Sequence, residues 1–318
     1  MKHTVVMSSP IPSIAREILS QRYEVVEHSA SGTRSEETMA LMAVEADGLI
    51  TLNHDPVTRR VLESNPNLRI VANYAVGVDN IDLSAASELG IVVTNTPGVL
   101  TEATADLTMA LLLAAARRVP EGDRMVRSGE FHGWDPFMLL GASLQRKRLG
   151  IIGMGRIGTA VARRARSFGM EITYHSRSAH EEAERELGAL RLDFDELIST
   201  SDFVSLHLPL KAETRHMIDR SALERMKPGA YLINASRGPL VDESALADAL
   251  TAGTIRGAAL DVYEREPAVE PRLLPLDNVI LLPHLGSATE EARTEMARIV
   301  ATEVTAVLEG GRPRFQVN

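Results

Sequence analysis

Three short polar segments interrupt apolar runs in the C-terminal half of this 318-residue chain: Asn234-Ala235-Ser236-Arg237-Gly238, Asp261-Val262-Tyr263-Glu264-Arg265-Glu266-Pro267 and Pro283-His284-Leu285-Gly286-Ser287-Ala288-Thr289. Between them they offer a permanent cation, a carboxylate and an imidazole. That set suits the reduction of a 2-oxo acid, because hydride arriving at the carbonyl carbon builds negative charge on oxygen and calls for a nearby cation and a proton donor. Arg237 can supply the charge and hold the substrate carboxylate. His284 is the natural acid, since imidazole titrates near neutral pH and can give a proton in one direction and take it in the other. Glu266 would orient the ring and favour its protonated form. Singly, each residue reads as an ion pair or a packed side chain; as a set they point to catalysis.

A hydride donor is suggested upstream. Gly150-Ile151-Ile152-Gly153-Met154-Gly155-Arg156-Ile157-Gly158 places a GxGxxG between an apolar strand pattern and an Ala-rich helix pattern. Gly153 permits a tight turn, Gly155 lets backbone N–H groups approach a pyrophosphate, and Gly158 lets helix pack on strand, with the helix N-terminus facing the phosphate charge. An NAD site ordinarily ends the next strand in a carboxylate that binds the ribose 2′-hydroxyl. Here that stretch reads Tyr174-His175-Ser176-Arg177-Ser178, and the next acidic residue is Glu181. Arg177 can pair with a 2′-phosphate while Ser176 and Ser178 donate hydrogen bonds, so NADP(H) is expected, with NAD(H) a weaker cofactor. The alternative, Arg177 as a solvated loop residue in an enzyme using either cofactor, stays open.

The elements that must carry these groups form an α/β pattern in two sets. In the first, strands are predicted near Thr4-Met7, Tyr23-Val26, Gly48-Thr51, Arg69-Asn73 and Ile91-Thr94, with helices over Ser13-Ser20 and Pro56-Glu63. In the second, six strands are predicted near Arg148-Gly153, Glu171-His175, Phe203-Leu206, Ala230-Asn234, Gly257-Leu260 and Val279-Leu282, enough for a doubly wound dinucleotide fold. Thr101 to Ser128 reads as one long connecting helix capped by Thr101 or Thr104, and Thr289 to Leu308 as a helix returning the chain to the first set. The expected architecture is two doubly wound parallel-sheet domains, a Rossmann-type cofactor domain over 99–287 and a flavodoxin-like substrate domain over 1–98 and 288–318, with a cleft between them.

Composition narrows the field. A net charge of −9, spread along the chain, argues against nucleic-acid binding. With no cysteine there are no disulfides, thiolate metal sites or cysteine nucleophile, and no metal is expected. The N-terminus from Met1 turns polar by Ser8-Ser9-Pro10, too soon for a signal peptide, and the longest apolar segment, Leu107 to Ala116, falls short of a membrane span. A cytoplasmic protein without membrane partners is the default expectation.

Several motifs, in order, resemble the D-2-hydroxyacid dehydrogenase family and within it the glyoxylate/hydroxypyruvate reductase branch: Asn73-Tyr74-Ala75-Val76-Gly77-Val78-Asp79-Asn80-Ile81-Asp82, Asn95-Thr96-Pro97-Gly98, the Gly153 turn, His207-Leu208-Pro209-Leu210 with Thr214, and the three polar segments. The resemblance spans nearly the whole chain. It implies that Arg237, Glu266 and His284 are the family's catalytic set and that products have D configuration. It also implies that backbone amides around Ala75, Val76 and Gly77 grip the substrate carboxylate beside Leu52. Thr104, Arg156, Ile157, His207, Pro209, Thr214, Ala235, Ser236, Asp261 and Gly286 would contact the cofactor. Ser128-Gly129-Glu130-Phe131-His132-Gly133-Trp134 is similar to a branch in which such a tryptophan crosses a homodimer interface to the partner subunit's site; packing of Trp134 in an interface or core is the plainer reading. Gln145-Arg146-Lys147-Arg148 departs from the family, which often has a glycine there.

The expected activity is NADPH-dependent reduction of glyoxylate and hydroxypyruvate to glycolate and D-glycerate. A reductase of 2-keto-gluconate or another 2-keto-aldonate is the alternative within the same chemistry. D-3-phosphoglycerate oxidation fits less well, for want of a regulatory domain, and lactate-type activity is a further option. A non-enzymatic nicotinamide-sensing corepressor would share the fold, but is expected to carry disordered extensions and an acidic NAD signal that this sequence lacks.

Overall fold

The computed structural model describes residues 2–29 and 32–318; Met1, Ala30 and Ser31 lie outside the described residues, so the reading of the N-terminus at Met1 is not addressed. The chain forms two compact units, one of residues 1–100 and 287–318, the other of residues 101–286.

The first unit alternates β1 (Thr4–Met7), α1 (Ile14–Leu19), β2 (Glu24–Glu27), α2 (Glu36–Val44), β3 (Gly48–Thr51), α3 (Arg59–Glu63), β4 (Ile70–Asn73), α4 (Leu83–Glu88) and β5 (Val92–Thr94). All strand pairs are parallel, in the order β2-β1-β3-β4-β5. This is the flavodoxin-like winding, whose connections leave β1 and β3 to opposite faces. Every residue of β3 and β4 is buried, as expected of central parallel strands covered on both sides.

The second unit contains α5 (Thr101–Ala116), α6 (Val119–Arg127), β6 (Arg148–Ile152), α7 (Arg156–Ser167), β7 (Glu171–His175), α8 (Glu181–Leu187), β8 (Leu190–Arg191), α9 (Phe194–Thr200), β9 (Phe203–Leu206), α10 (Arg220–Arg225), β10 (Tyr231–Asn234), α11 (Glu243–Ala252), β11 (Gly257–Leu260) and β12 (Val279–Leu281). Its parallel sheet runs β12-β11-β10-β9-β6-β7-β8. The order reverses between β6 and β9, and α5 and α7 pack on one face while α9, α10 and α11 pack on the other. The chain then returns through α12 (Glu290–Leu308), whose Ala297, Val300, Ala301, Val304, Val307 and Leu308 join Val5, Met7, Ile50, Ile70 and Ala72 in one core of the first unit.

Local expectations are corrected in four places. The connecting helix is two helices: Arg118 takes φ 54 and separates α5 from α6. Pro120 has no N–H to offer the carbonyl of Ala116, which instead accepts from Ala142 N at 2.7 Å. Neither threonine caps α5, because the helix begins at Thr101 and Thr104 lies inside it, its hydroxyl donating to the Gly286 carbonyl at 2.9 Å. The second sheet has a seventh strand, β8, too short and too exposed to leave a pattern in sequence. Finally, the helix expected over Pro56-Glu63 starts only at Arg59, since Val57 bridges to Ile81.

Candidate active site

The glycine turn sits where the second sheet reverses, and each glycine meets a different constraint. Gly153 has φ 99, and a Cβ there would lie 2.5 Å from the His207 carbonyl oxygen. A Cβ at Gly158 would lie 2.3 Å from the Gly153 carbonyl oxygen, so helix α7 rests directly on the end of β6. A Cβ at Gly155 would meet nothing within 4 Å. Gly155 is also the N-cap of α7 and provides no side-chain cap, leaving the first-turn amides without a side-chain acceptor from that position. Closure behind and space in front form a cradle that fits a pyrophosphate. Arg156 and Ile157 form the first turn of α7.

Beyond β7, Ser176 Oγ donates to the Ser178 carbonyl at 2.5 Å, and Arg191 on β8 donates to the carbonyls of Ser176 and Arg177, each at 2.9 Å. No carboxylate lies in this loop before Glu181. Sequence reasoning missed Arg191, because the strand that carries it was itself invisible.

Several expected cofactor contacts serve the loops as well. His207 follows β9 and shares a 2.9 Å hydrogen bond with Ser205 through Nε2. Although its residue surface is partly exposed, the ring is deeply set, and burial pushes it down to about 4, so it is neutral at physiological pH. Thr214 Oγ1 donates to the Pro209 carbonyl at 3.0 Å and accepts from Lys211 N at 2.8 Å. Ser236 Oγ donates to the Leu208 carbonyl at 2.5 Å, tying the loop after β10 to the loop after β9. Ala235 lies between Asn234 and Ser236 at the end of β10.

The three polar segments follow β10, β11 and β12, adjacent strands of the sheet. Asn234 shapes the first, its side chain donating to the Arg237 carbonyl at 2.9 Å and accepting from Ser236 N at 3.1 Å. In the second, Glu266 Oε1 accepts from Tyr263 N at 3.0 Å while its Oε2 meets His284 Nδ1 at 2.9 Å. Both side chains are about a third exposed or less, with His284 at 32% and Glu266 at 27%. Burial pulls Glu266 upward, but the hydrogen bond and charge of His284, the Tyr263 amide and the charge of Arg237 together hold it below the ordinary carboxylate range. In the third, His284 adopts φ 57, a left-handed conformation unusual for a side chain with a Cβ. Asp261 secures that bend, accepting from Leu285 N at 2.6 Å and Gly286 N at 2.8 Å, and burial raises its carboxyl above the ordinary value. Tyr263 is held protonated, pushed up to about 12 by burial and by the charges of Asp261, Glu243 and Glu266, so it is a poor proton donor beside the imidazole. Arg237, Glu266 and His284 thus share the carboxyl end of three adjacent strands, with Glu266 in contact with His284 and within the field of Arg237.

The remaining expected residues belong to the first unit or to a surface segment. Leu52 follows β3 and Ala75, Val76 and Gly77 follow β4, both at carboxyl ends of that unit's strands. A polar network missed in sequence supports these two loops. Asp55 accepts from Leu52 N at 2.8 Å, Asn80 Nδ2 donates to the Leu52 carbonyl at 3.0 Å, and Asn73 Nδ2 donates to the Gly77 carbonyl at 2.8 Å. Trp134 is 85% exposed in this single chain, which excludes the core-packing reading. Among the described residues no cluster of three or more His, Cys, Asp or Glu could hold a metal, and no helix is long and apolar enough to cross a membrane.

A model of the D-isomer specific 2-hydroxyacid dehydrogenase NAD-binding domain matches residues 109–286. The chain is 49% identical over 322 residues to the glyoxylate reductase of Thermococcus litoralis, covering 100% of this chain and 97% of the relative. The chain belongs to the D-isomer specific 2-hydroxyacid dehydrogenase family. Its similarity runs to the glyoxylate reductase branch. Among solved structures, a Thermus thermophilus protein superimposes with a TM-score of 0.93 at 44% identity, covering 99% of this chain and 100% of the other. The NADPH-dependent glyoxylate/hydroxypyruvate reductase of Sinorhizobium meliloti, solved with NADP and malonate, gives a TM-score of 0.87 at 34% identity over 100% and 97% of the two chains. As a member of this family the chain is an oxidoreductase, and the Arg, Glu and His of its strand edge stand in a dehydrogenase framework.

Proposed function

We propose that this dehydrogenase reduces small 2-oxo acids, glyoxylate and hydroxypyruvate first among them, to glycolate and D-glycerate with NADPH, and that Arg237, Glu266 and His284 carry the acid–base and charge chemistry. The observation that carries the reading is the 2.9 Å pairing of His284 Nδ1 with Glu266 within the field of Arg237. With Nδ1 on Glu266, Nε2 on the other side of the ring would give a proton to the carbonyl oxygen, while Arg237 offsets the charge that develops there. Glu266 keeps the imidazole oriented through that bond. Gly153, Gly155, Gly158 and the first turn of α7 would hold the pyrophosphate of the dinucleotide, whose nicotinamide supplies the hydride when bound. The preference for NADPH rests on the loop after β7, which offers Ser176, Arg177 and Ser178 and no carboxylate. The roles of Leu52 and Ala75 to Gly77 as substrate contacts, and of Thr104, His207, Pro209, Thr214, Ala235, Ser236, Asp261 and Gly286 near the cofactor, rest on the family resemblance.

The same reading makes the protein a homodimer. Val126, Phe131, Trp134, Phe137 and Leu140 are all exposed on α6 and the segment that follows it, an apolar surface unusual for a monomer. Trp134 would then face the partner subunit.

Initial rates of NADPH and NADH oxidation with glyoxylate, hydroxypyruvate, pyruvate and 2-keto-gluconate test the proposal. Fast NADPH-dependent reduction of the two small acids is expected. Faster turnover of 2-keto-gluconate would move the substrate assignment, a preference for NADH would remove the Arg177 argument, and silence on every acid would overturn the enzyme reading.

A further inference from the structure

Glu243 is a charged residue that the chemistry above leaves unused, yet it is only 5% exposed. It occupies the first turn of α11, where an acid ordinarily faces solvent and complements the helix dipole; the N-cap role is already taken by Asp242, which accepts from Ala245 N at 2.9 Å. The Glu243 carboxylate turns instead to the segment after β11. It accepts from Glu264 N at 2.5 Å, and the Glu270 amide nearby also favours its ionised form. Glu264 lies two residues before Glu266, so the catalytic carboxylate lies on a loop stapled to one buried side chain, with the Glu270 amide at its far end turned toward the same carboxylate.

The support is shared with the other catalytic segment. Helix α11 follows directly from the turn over Gly238–Leu240 that begins at Arg237. A Cβ at Gly238 would lie 1.8 Å from the Tyr263 carbonyl carbon and 2.4 Å from Glu264 N, so that turn already presses on the Glu266 loop. Burial and the nearby charges of Glu264 and Glu270 oppose ionisation of Glu243, and the loop amides favour it; burial prevails and its carboxyl sits above the ordinary value. Burying a carboxylate is costly unless hydrogen bonds or a countercharge offset its lost hydration.

We propose that Glu243 is a positioning residue for the acid–base pair, fixing the loop from Tyr263 to Glu270 against the Arg237 turn so that Glu266 meets His284 Nδ1. The inference rests on the reading of Glu266 and His284 as that pair. Glu243 touches no reacting atom. A loop displaced by about 1 Å costs on the order of 10²-fold in rate.

The test compares Glu243→Gln, Glu243→Asp and Glu243→Ala with His284→Ala, following melting temperature, NADPH affinity, kcat, KM and the pH profile of glyoxylate reduction. Glu243→Gln retains an acceptor oxygen at the same reach and is expected to stay within about threefold of the parent kcat. Glu243→Asp withdraws that oxygen and is expected to lose about 10- to 100-fold in kcat with little change in KM or NADPH affinity. Its pH profile should depart from the parent's as Glu266 loosens from the imidazole. Parent kcat and pH profile in Glu243→Asp, whatever its melting temperature, would overturn the proposal. Should Glu243→Ala not fold, the contrast between Gln and Asp still decides. A His284→Ala variant with parent activity would instead remove the acid–base reading itself.

Discussion

At the scale of single residues, the site depends on a histidine held in a conformation that histidines seldom adopt. The left-handed backbone at His284 costs about 1–3 kcal/mol wherever it is imposed, and Asp261 maintains it by binding the next two amides. His284→Ala is expected to lower kcat by about 10²- to 10⁴-fold while NADPH affinity, read by fluorescence titration, stays near that of the parent. Comparable losses in both would deny the imidazole its role in the transition state. Arg237→Lys should fail almost as badly in kcat/KM, because a point charge cannot reproduce a two-pronged grip; parent-like efficiency would take Arg237 out of the mechanism. His207 makes a different prediction. Its folded value of about 4 lies below the 6.5 of an unperturbed imidazole, so the unfolded chain binds more protons in that interval. The stability it contributes is complete above pH 6.5 and is lost as pH falls toward 4. Melting temperature should therefore drop less over that interval in His207→Gln, and identical slopes would contradict the assignment. The strand-end placement of Arg237, Glu266 and His284 was legible in sequence because each segment follows an apolar strand pattern. Glu243 was not, because a helix-opening Asp-Glu pair looks the same whether the glutamate faces water or a buried loop.

Secondary-structure elements show where sequence patterns suffice and where they do not. Buried parallel strands leave short, largely apolar runs, which is why β3, β4, β6 and β9 could be placed from the sequence pattern. The two-residue β8 leaves no such run, and the break between α5 and α6 is hidden because Ala, Leu and Arg continue the helical pattern up to Pro120. The glycine turn was legible in type, but only the folded backbone separates its three roles. Gly155→Ala adds a methyl to open space at ordinary dihedrals, so its melting temperature should change by no more than about 1 kcal/mol would produce, whereas NADPH affinity should fall at least about tenfold as the methyl enters the pyrophosphate cradle. Gly158→Ala pushes a Cβ against backbone and should lose about 1–3 kcal/mol of stability. Should the two variants show the reverse pattern, the cradle assignment fails.

For the whole molecule, the exposed apolar segment around Trp134 and Phe137 bears on assembly. Sedimentation velocity at micromolar concentration is expected to give a dimer, and Trp134→Ala combined with Phe137→Ser should shift the distribution toward monomer without lowering helical content. A parent protein that sediments as a monomer down its whole concentration range would refute this. Sequence indicated the apolar residues but could not say that they lie outside every core.

The discontinuity of the first unit also orders events during synthesis. Its strands leave the ribosome first, yet one face of their sheet is closed by α12, which lies within the last thirty or so residues. The second unit, an unbroken stretch, can fold to completion while β1, β3 and β4 still wait with apolar side chains uncovered. Nascent chains should therefore engage holdase chaperones through their N-terminal strands until translation ends, and a stop codon anywhere before α12 would strand a segment that had been made nearly two hundred residues earlier.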